Sequence, residues 1–253
     1  MRSRPGTMMA MEDGQRTASQ YDAMGASYSA RNSVGSYNAY YNRPATIGLL
    51  GEVSGRRVLE VGCGAGQLTA WLTEHGATVT AFDVSPVMAG LARERAGERA
   101  EVLVADLSRP LSFAATGGYD LVVASVVLHY VRDWAAVLGE FRRVLTPAGA
   151  VVFSTHHPAM DWQLHSPEDY FAIRQVTETW QVESGGCEVT FWRRPLTAMT
   201  EAIAGAGFVI ERLIEPEPAA GLAELDPRAD HAIRTQPRFL FFRLRPERPE
   251  PGQ

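Results

Sequence analysis

The sequence predicts an α/β fold, a doubly wound sheet of largely parallel strands with helices on both faces, and three observations carry that prediction. From Arg57 onward, short apolar runs alternate with helix-length segments, the pattern of strand–helix units. The first of these runs ends in Gly62-Cys63-Gly64-Ala65-Gly66 and passes straight into a helical segment. With 253 residues, 45% of them hydrophobic and 21% charged, the chain suits one large domain with an ordinary core.

Taken in order, residues 1–15 show no usable periodicity and are expected to form a disordered tail. Residues 16–50 read as a helical lid: from Tyr21 the segment is rich in Tyr, Asn, Ser and Ala and fits two short helices divided near Asn32 to Ser36. Residues 51–253 form the main domain. Its expected strands are Arg57 to Val61, Thr78 to Asp83, Glu101 to Ala105, Tyr119 to Ser125 and Ala150 to Ser154. Between them lie helices Gln67 to Glu74, Pro86 to Ala96 with Ser85 as its cap, and Trp134 to Leu145, stopped by Thr146-Pro147-Ala148-Gly149. Residues 156–195, with three Trp and three His, break the rhythm and read as an inserted lid after strand 5. A helix over Leu196 to Ala206 precedes strands at Phe208 to Glu215 and Arg238 to Leu244. The Pro- and acid-rich stretch between those strands reads as a loop, so they are expected to form an antiparallel edge hairpin.

Composition excludes several function classes. The 24 basic and 29 acidic residues give net −5, which speaks against a nucleic-acid or anionic-membrane surface and for a small-molecule partner. All the basic residues are Arg, so neither a Schiff-base lysine nor a P-loop lysine exists. Two cysteines, Cys63 and Cys187, are too few for a disulfide scaffold, a cysteine-rich zinc site or a radical iron–sulfur cluster. No apolar signal segment opens the chain, and Leu121 to Leu128 falls far short of the ~20 residues a membrane span needs. The expected setting is cytoplasmic, with a homodimer as the assembly left open.

The strongest chemical signal is Val58-Leu59-Glu60-Val61-Gly62-Cys63-Gly64-Ala65-Gly66-Gln67, a buried strand running through alternate glycines into a helix N-terminus. Such a turn lets backbone approach a ligand closely. A dinucleotide fingerprint requires glycine at the sixth position, which here is Gln67, so the spacing disfavours NAD. Asp83 ends the second strand, 23 residues after Glu60, where a carboxylate accepts both ribose hydroxyls of a nucleoside. Asp106, after the third strand, is placed to receive an adenine amine. An adenosyl ligand without a diphosphate fits this set. Cys63, small and between glycines, reads as a buried filler rather than a nucleophile.

These residues, LEVGCGAG (59–66), FDVS (82–85), ADL (105–107), YDLVVASVVLHYVRD (119–133) and FRRVLTPAGAVVFSTHHP (141–158), resemble the class I S-adenosylmethionine-dependent methyltransferases, in the small-molecule branch with a type 11 core. The resemblance spans about Tyr21 to Leu244 and implies a Rossmann-like, seven-stranded sheet with its last strand antiparallel. It implies S-adenosylmethionine as cofactor and S-adenosylhomocysteine as product. Glu60, Gly62, Cys63, Gly64, Gly66 and Gln67 would line the cofactor, Asp83 would hold the ribose, and Asp106 and Leu107 the adenine. Ser125 and Leu128 would flank the methionyl arm, with Val84 and Met88 in the same site and Tyr28 packing near the sulfonium.

On the acceptor side, imidazole is the side chain best matched to proton transfer near neutral pH. The candidates are His129 after the fourth strand and His156 and His157 after the fifth; His157, in the His-Pro pair found at this place in relatives, is preferred to His156. Tyr21 joins His157 and His129 as a candidate catalytic residue. Trp162, Tyr170, Phe171, Trp180, Phe191 and Trp192, with Tyr21, Tyr37 and Tyr41, are expected to enclose a flat apolar acceptor. Arg193 and Arg194 are read either as binding an acceptor carboxylate or as solvating a lid edge. No HExxH accompanies the paired histidines, so no metal is expected. Absence of an Asn/Asp-Pro-Pro-aromatic tetrapeptide lowers DNA or RNA as substrate. The pattern points to a small aromatic secondary metabolite; one subset of the family methylates indole C3 of tryptophan-derived diketopiperazines, forming a pyrroloindoline, while others methylate O or N. Two other classes stay open from sequence, a catalytically silent adenosyl-ligand-binding module and a nucleotide-dependent reductase.

Overall fold

The computed structural model describes residues 5–165, 169–182 and 185–247, with side chains throughout except those of 5–12, 26–28, 30–32 and 181–182. Helix α1 (Pro5–Val34) is broken by non-helical backbone at Gly25 (φ 50, ψ −142) and is followed by a π-helical turn, Asn38–Asn42, and α2 (Arg43–Leu50). The main domain then runs β1 (Arg57–Val61), α3 (Gln67–Glu74), β2 (Thr78–Asp83), α4 (Pro86–Ala96), β3 (Ala100–Val104), β4 (Tyr119–Ser125), a 3₁₀ turn (Leu128–Tyr130), α5 (Trp134–Val144) and β5 (Leu145–His156). The insertion holds α6 (Pro158–Leu164) and strands β6 (Arg174–Val182) and β7 (Gly185–Arg193). The chain continues with α7 (Leu196–Gly205), β8 (Phe208–Ile214), α8 (Leu222–Leu225), α9 (Pro227–Thr235) and β9 (Phe239–Pro246).

Seven strands form one sheet in the order β3-β2-β1-β4-β5-β9-β8, and β6 and β7 form a separate antiparallel pair. Strands β1 to β5 are mutually parallel, whereas β9 runs antiparallel to both β5 and β8. This is the Rossmann-like sheet with an antiparallel last strand. Side-chain alternation divides the core between two faces. Leu59, Val122, Phe153 and Phe242 pack with Val137, Leu138 and Phe141 of α5 on one face. Val58, Val123, Val152 and Phe241 pack with Leu72 of α3 and Leu49 and Leu50 of α2 on the other. Each such fully buried side chain contributes about 1.5–3 kcal/mol.

Three expectations are corrected and one holds. Residues 5–15 belong to α1 rather than a tail, because buried Asp13 accepts from Trp192 Nε1 at 3.0 Å and from Gln175 Nε2 at 3.2 Å, contacts that no local periodicity announces. The 215–236 stretch holds α8 and α9; Asp226 Oδ1 accepts from the Ala229 N–H at 3.0 Å and Pro227 occupies the first turn, an ordinary helix start inside an acidic, Pro-rich segment. The late strands do pair antiparallel at the sheet's edge, β8 outermost and β9 between it and β5, although α8 and α9 rather than a plain loop join them. Strand β5 is longer than Ala150 to Ser154 because its end pairs with β9 through His156 opposite Phe239.

Candidate active site

A cavity of about 1520 Å³ lies at the carboxyl ends of β1, β2, β4 and β5, under α1 and the β6–β7 hairpin. That exceeds the roughly 300–1,000 Å³ of a one-ligand pocket, which leaves room for two molecules side by side. Glu60, Gly62, Cys63, Gly64, Gln67, Asp83, Val84, Asp106, Leu107 and Ser125 all line it. Gly66, Met88 and Leu128 do not: Gly66 packs against α4, and Met88 and Leu128 are buried in the core, Met88 as the α4 residue whose N–H is capped by Ser85 Oγ. The Tyr28 side chain lies outside the described residues.

The glycine turn is shaped by its neighbours. Gly62 (φ 65) is packed by Val127, whose Cγ2 would lie 2.5 Å from an added Cβ, so no side chain fits there. Gly64 (φ 52) has nothing within 4 Å of an added Cβ. Gly66 (φ 77) abuts the backbone of Ala92 on α4, 2.8 Å from an added Cβ, and so sets helix packing. The Gly64 N–H donates to Asp83 Oδ2 and the Ser85 N–H to Asp83 Oδ1, both at 2.9 Å, which binds the end of β2 to the turn after β1.

Two buried carboxylates face this end of the cavity, and neither takes part in an ion pair among the described residues. Burial lifts the Glu60 carboxyl to about 8, against a hydrogen bond from Thr69 Oγ1 at 2.6 Å and with the nearby Asp83 charge adding to the rise. Burial also raises Asp83, outweighing the two N–H donors. The Cys63 thiol is pushed well up by burial and by both carboxylates, which makes it a poor nucleophile. Asp106 accepts from the Ser108 N–H at 2.8 Å and Ser108 Oγ at 2.7 Å, and α1 crosses so close that Gly14 has no room for a side chain against its carboxylate.

Beyond Ser125 the backbone is strained. Val126 is a β-branched residue at φ 52, held there as its N–H donates to Ser154 O at 3.1 Å and Ser154 Oγ at 3.0 Å. Buried Asn42 joins the same network, donating to Ser125 Oγ at 2.7 Å and accepting from Ser154 Oγ at 2.8 Å. It ties the N-terminal cover to the ends of β4 and β5. No local signal marks Asn42, one of several Asn and Tyr residues in the same stretch.

The cavity's aromatic lining is Tyr21, Tyr37, Tyr130, His156, Trp180 and Phe239, together with Phe82. Tyr21 and Tyr130 share a hydroxyl–hydroxyl hydrogen bond of 2.7 Å with their rings edge to face. Of the aromatics expected there, Tyr21, Tyr37 and Trp180 line the cavity; Tyr41, Phe191 and Trp192 are packed behind it, Tyr170 lies off the lining with its hydroxyl accepting from the Leu196 N–H at 3.2 Å, and Trp162 and Phe171 are exposed. Arg193 and Arg194 neither solvate an edge nor reach the cavity. Arg194 Nη2 donates to Val131 O at 2.6 Å while its guanidinium lies 4.4 Å over the Trp134 ring, and burial depresses it to about 9.

Of the paired histidines, His156 rather than His157 lies against the cavity. His157 caps α6 with Nδ1, which accepts from the Ala159 N–H at 3.2 Å, and places Nε2 2.9 Å from Glu215 Oε1. It does not line the cavity; His156 does. The reason is that β5 ends at His156, and the next residue belongs to the helix start. His129 is fully enclosed beneath His156, with ring centroids 3.9 Å apart, instead of facing the cavity.

A family model described as a methyltransferase domain matches residues 59–153. Among curated proteins, the chain is 31% identical over 178 residues to malonyl-[acyl-carrier protein] O-methyltransferase of Serratia marcescens, covering 68% of this chain and 63% of that one. It is 30% identical over 169 residues to ubiquinone biosynthesis O-methyltransferase of Alkalilimnicola ehrlichii, covering 62% and 66%. The chain thus spans slightly less than two thirds of the length of these relatives. Among solved structures, an S-adenosylmethionine-dependent methyltransferase of Mesorhizobium loti is 27% identical with TM-score 0.64, covering 80% of this chain and 96% of that one. A putative S-adenosylmethionine-dependent methyltransferase of Listeria monocytogenes shares the fold at TM-score 0.69 and 24% identity, over 82% and 97%. On the sheet order, the glycine turn with its two buried carboxylates and these matches, residues 59–153 form a methyltransferase domain, set in the class I, Rossmann-like fold of the S-adenosylmethionine-dependent methyltransferases.

Proposed function

We propose that the chain transfers a methyl group from S-adenosylmethionine to a small, flat aromatic acceptor enclosed between the N-terminal helix and the inserted hairpin. The observation that carries this reading is the continuity of one cavity from Gly64 and Asp83 to the walls formed by Tyr21, Tyr37, Trp180 and Phe239.

The residues present suit the cofactor. The open space at Gly64 admits a ligand against the backbone, and two buried carboxyl groups without guanidinium partners suit S-adenosylmethionine, which carries hydroxyls on its ribose and an ammonium on its methionyl arm. Asp83 would take the ribose hydroxyls and Asp106 with Leu107 the adenine, while Glu60 faces the same end. Bound there, S-adenosylmethionine supplies an electrophilic methyl carbon on a sulfonium sulfur.

The rest of the work falls to the chain. The aromatic walls orient a planar acceptor and exclude water, and such alignment is worth roughly 7–11 kcal/mol of barrier for a well-placed pair of reactants. The cover is fastened for this purpose: Ser85 Oγ donates to Asp22 Oδ1 at 2.5 Å, holding α1 to the start of α4, and the Trp192–Asp13 bond holds α1 to β7. The favoured acceptor class is an aromatic secondary metabolite, with the indole of a tryptophan-derived diketopiperazine as the first compound to try. The test is incubation with methyl-labelled S-adenosylmethionine and a panel of an indole diketopiperazine, a catechol, a hydroxyquinoline and an aliphatic carboxylic acid, read by mass spectrometry. Label on an aromatic member supports the reading; label on the aliphatic acid alone overturns it.

A further inference from the structure

We propose that His156 is the proton acceptor of the reaction, with Asp161 and His129 as its positioning residues, and that the acceptor is a flat ring bearing an O–H or N–H that it loses on methylation. This rests on the methyl-transfer reading above and adds the chemistry of the atom methylated.

His156 is the last residue of β5, lines the cavity and has a side chain 12% exposed. Its ring plane is fixed from three sides. His129 stacks on one face at 3.9 Å between centroids and 16° between planes, Phe239 lies parallel at 6.0 Å and 17°, and Phe191 meets the ring edge-on at 4.6 Å and 87°. Asp161, buried on α6, places Oδ1 3.5 Å from His156 Nδ1. That is longer than a formed hydrogen bond and within ion-pair reach; catalytic hydrogen bonds in unliganded sites are often long and tighten with substrate. A carboxylate at Nδ1 selects the tautomer whose Nε2 lone pair is free.

The charged and titratable groups around His156 are few. Asp161 comes from α6 and His129 from the turn after β4, with Arg194 behind His129. The neighbouring His157 is engaged by Glu215, while β7 and β9 present Phe191 and Phe239. His129 has neither ring nitrogen hydrogen-bonded among the described residues, and burial, His156 and Arg194 all keep it neutral. It therefore stacks on His156 without opposing a proton there.

In the step, a lone pair on the acceptor oxygen or nitrogen forms the bond to the methyl carbon. The carbon–sulfur bond breaks with its electron pair remaining on sulfur, converting sulfonium to thioether. The acceptor's proton passes to His156 Nε2, giving an imidazolium opposite Asp161, and then to water.

The experiment has two arms on the full chain. In the first, histidine-labelled protein with S-adenosylhomocysteine is followed by nitrogen NMR, the His156 signals being assigned by their loss in His156→Gln. The neutral ring should carry its proton on Nδ1, and Asp161→Asn should change that tautomer population; a neutral ring protonated on Nε2 in wild type overturns the proposal. In the second, kcat for whichever panel member is methylated should rise with pH along one imidazole limb. In His156→Gln the limb should vanish and kcat fall on the order of 10²–10⁴-fold, with S-adenosylhomocysteine affinity kept within about threefold. Methylation with an unchanged pH profile in His156→Gln overturns this proposal alone, whereas failure of wild type to bind S-adenosylhomocysteine overturns the methyl-transfer reading beneath it.

Discussion

The Gly64 N–H donates to Asp83 Oδ2 at 2.9 Å, joining the turn after β1 to the end of β2 on the wall of the cavity. One carboxylate thus organises the glycine turn and faces the cavity where a ribose would lie. Asp83→Ala is expected to weaken S-adenosylmethionine binding more than about tenfold, since a charge-assisted acceptor is worth roughly 1.5–3 kcal/mol. Calorimetry measures this, and unchanged affinity would remove Asp83 from the site.

The two neighbouring glycines are expected to fail differently. Gly64→Val meets open space but forces φ 52 on a branched side chain, costing on the order of 1–2 kcal/mol of stability while filling the ligand's approach. Gly66→Ala drives a Cβ into the Ala92 backbone at 2.8 Å and should destabilise the α3–α4 packing by more than that. Denaturant melts and calorimetry side by side should show binding lost first at Gly64 and stability lost first at Gly66. The opposite order would contradict the geometry.

Glu60 links pH to stability. Its folded carboxyl sits at about 8, above its ordinary range near 4.5, so the native state binds the proton more tightly than the unfolded chain. Its favourable contribution is complete below pH 4.5 and is lost as pH rises to about 8, at up to about 1.4 kcal/mol per pH unit. Glu60→Gln should therefore flatten the decline of ligand-free stability across that window. An identical decline in the variant would show that another group drives it.

His157→Ala, given the helix cap and the Glu215 contact, is expected to cost about 0.5–2 kcal/mol of stability and to leave turnover within about threefold. A large kcat loss with stability intact would return His157 to the cavity.

The sequence made β1, β2, β4, α3 and α4 legible to the residue, because their apolar period, the Ser85-Pro86 helix start and the glycine turn are local signals. Asp83, Asp106 and Glu60 were legible for the same reason, standing at or next to strand ends. What stayed hidden depends on distant partners. The start of α1 is held by Trp192, 179 residues away, and Asn42 acquires meaning only where β4 and β5 end together. The choice between His156 and His157 turned on where β5 stops, and that boundary is set by pairing with β9 rather than by local composition.

If the glycine turn and Asp83 hold an adenosyl sulfonium rather than a dinucleotide, titration calorimetry of the wild-type chain will show it. S-adenosylmethionine and S-adenosylhomocysteine are each expected to bind one to one, with the heat abolished or strongly reduced in Asp83→Ala, while NADPH gives no binding heat. Binding of NADPH with neither adenosyl ligand taken up would contradict the account.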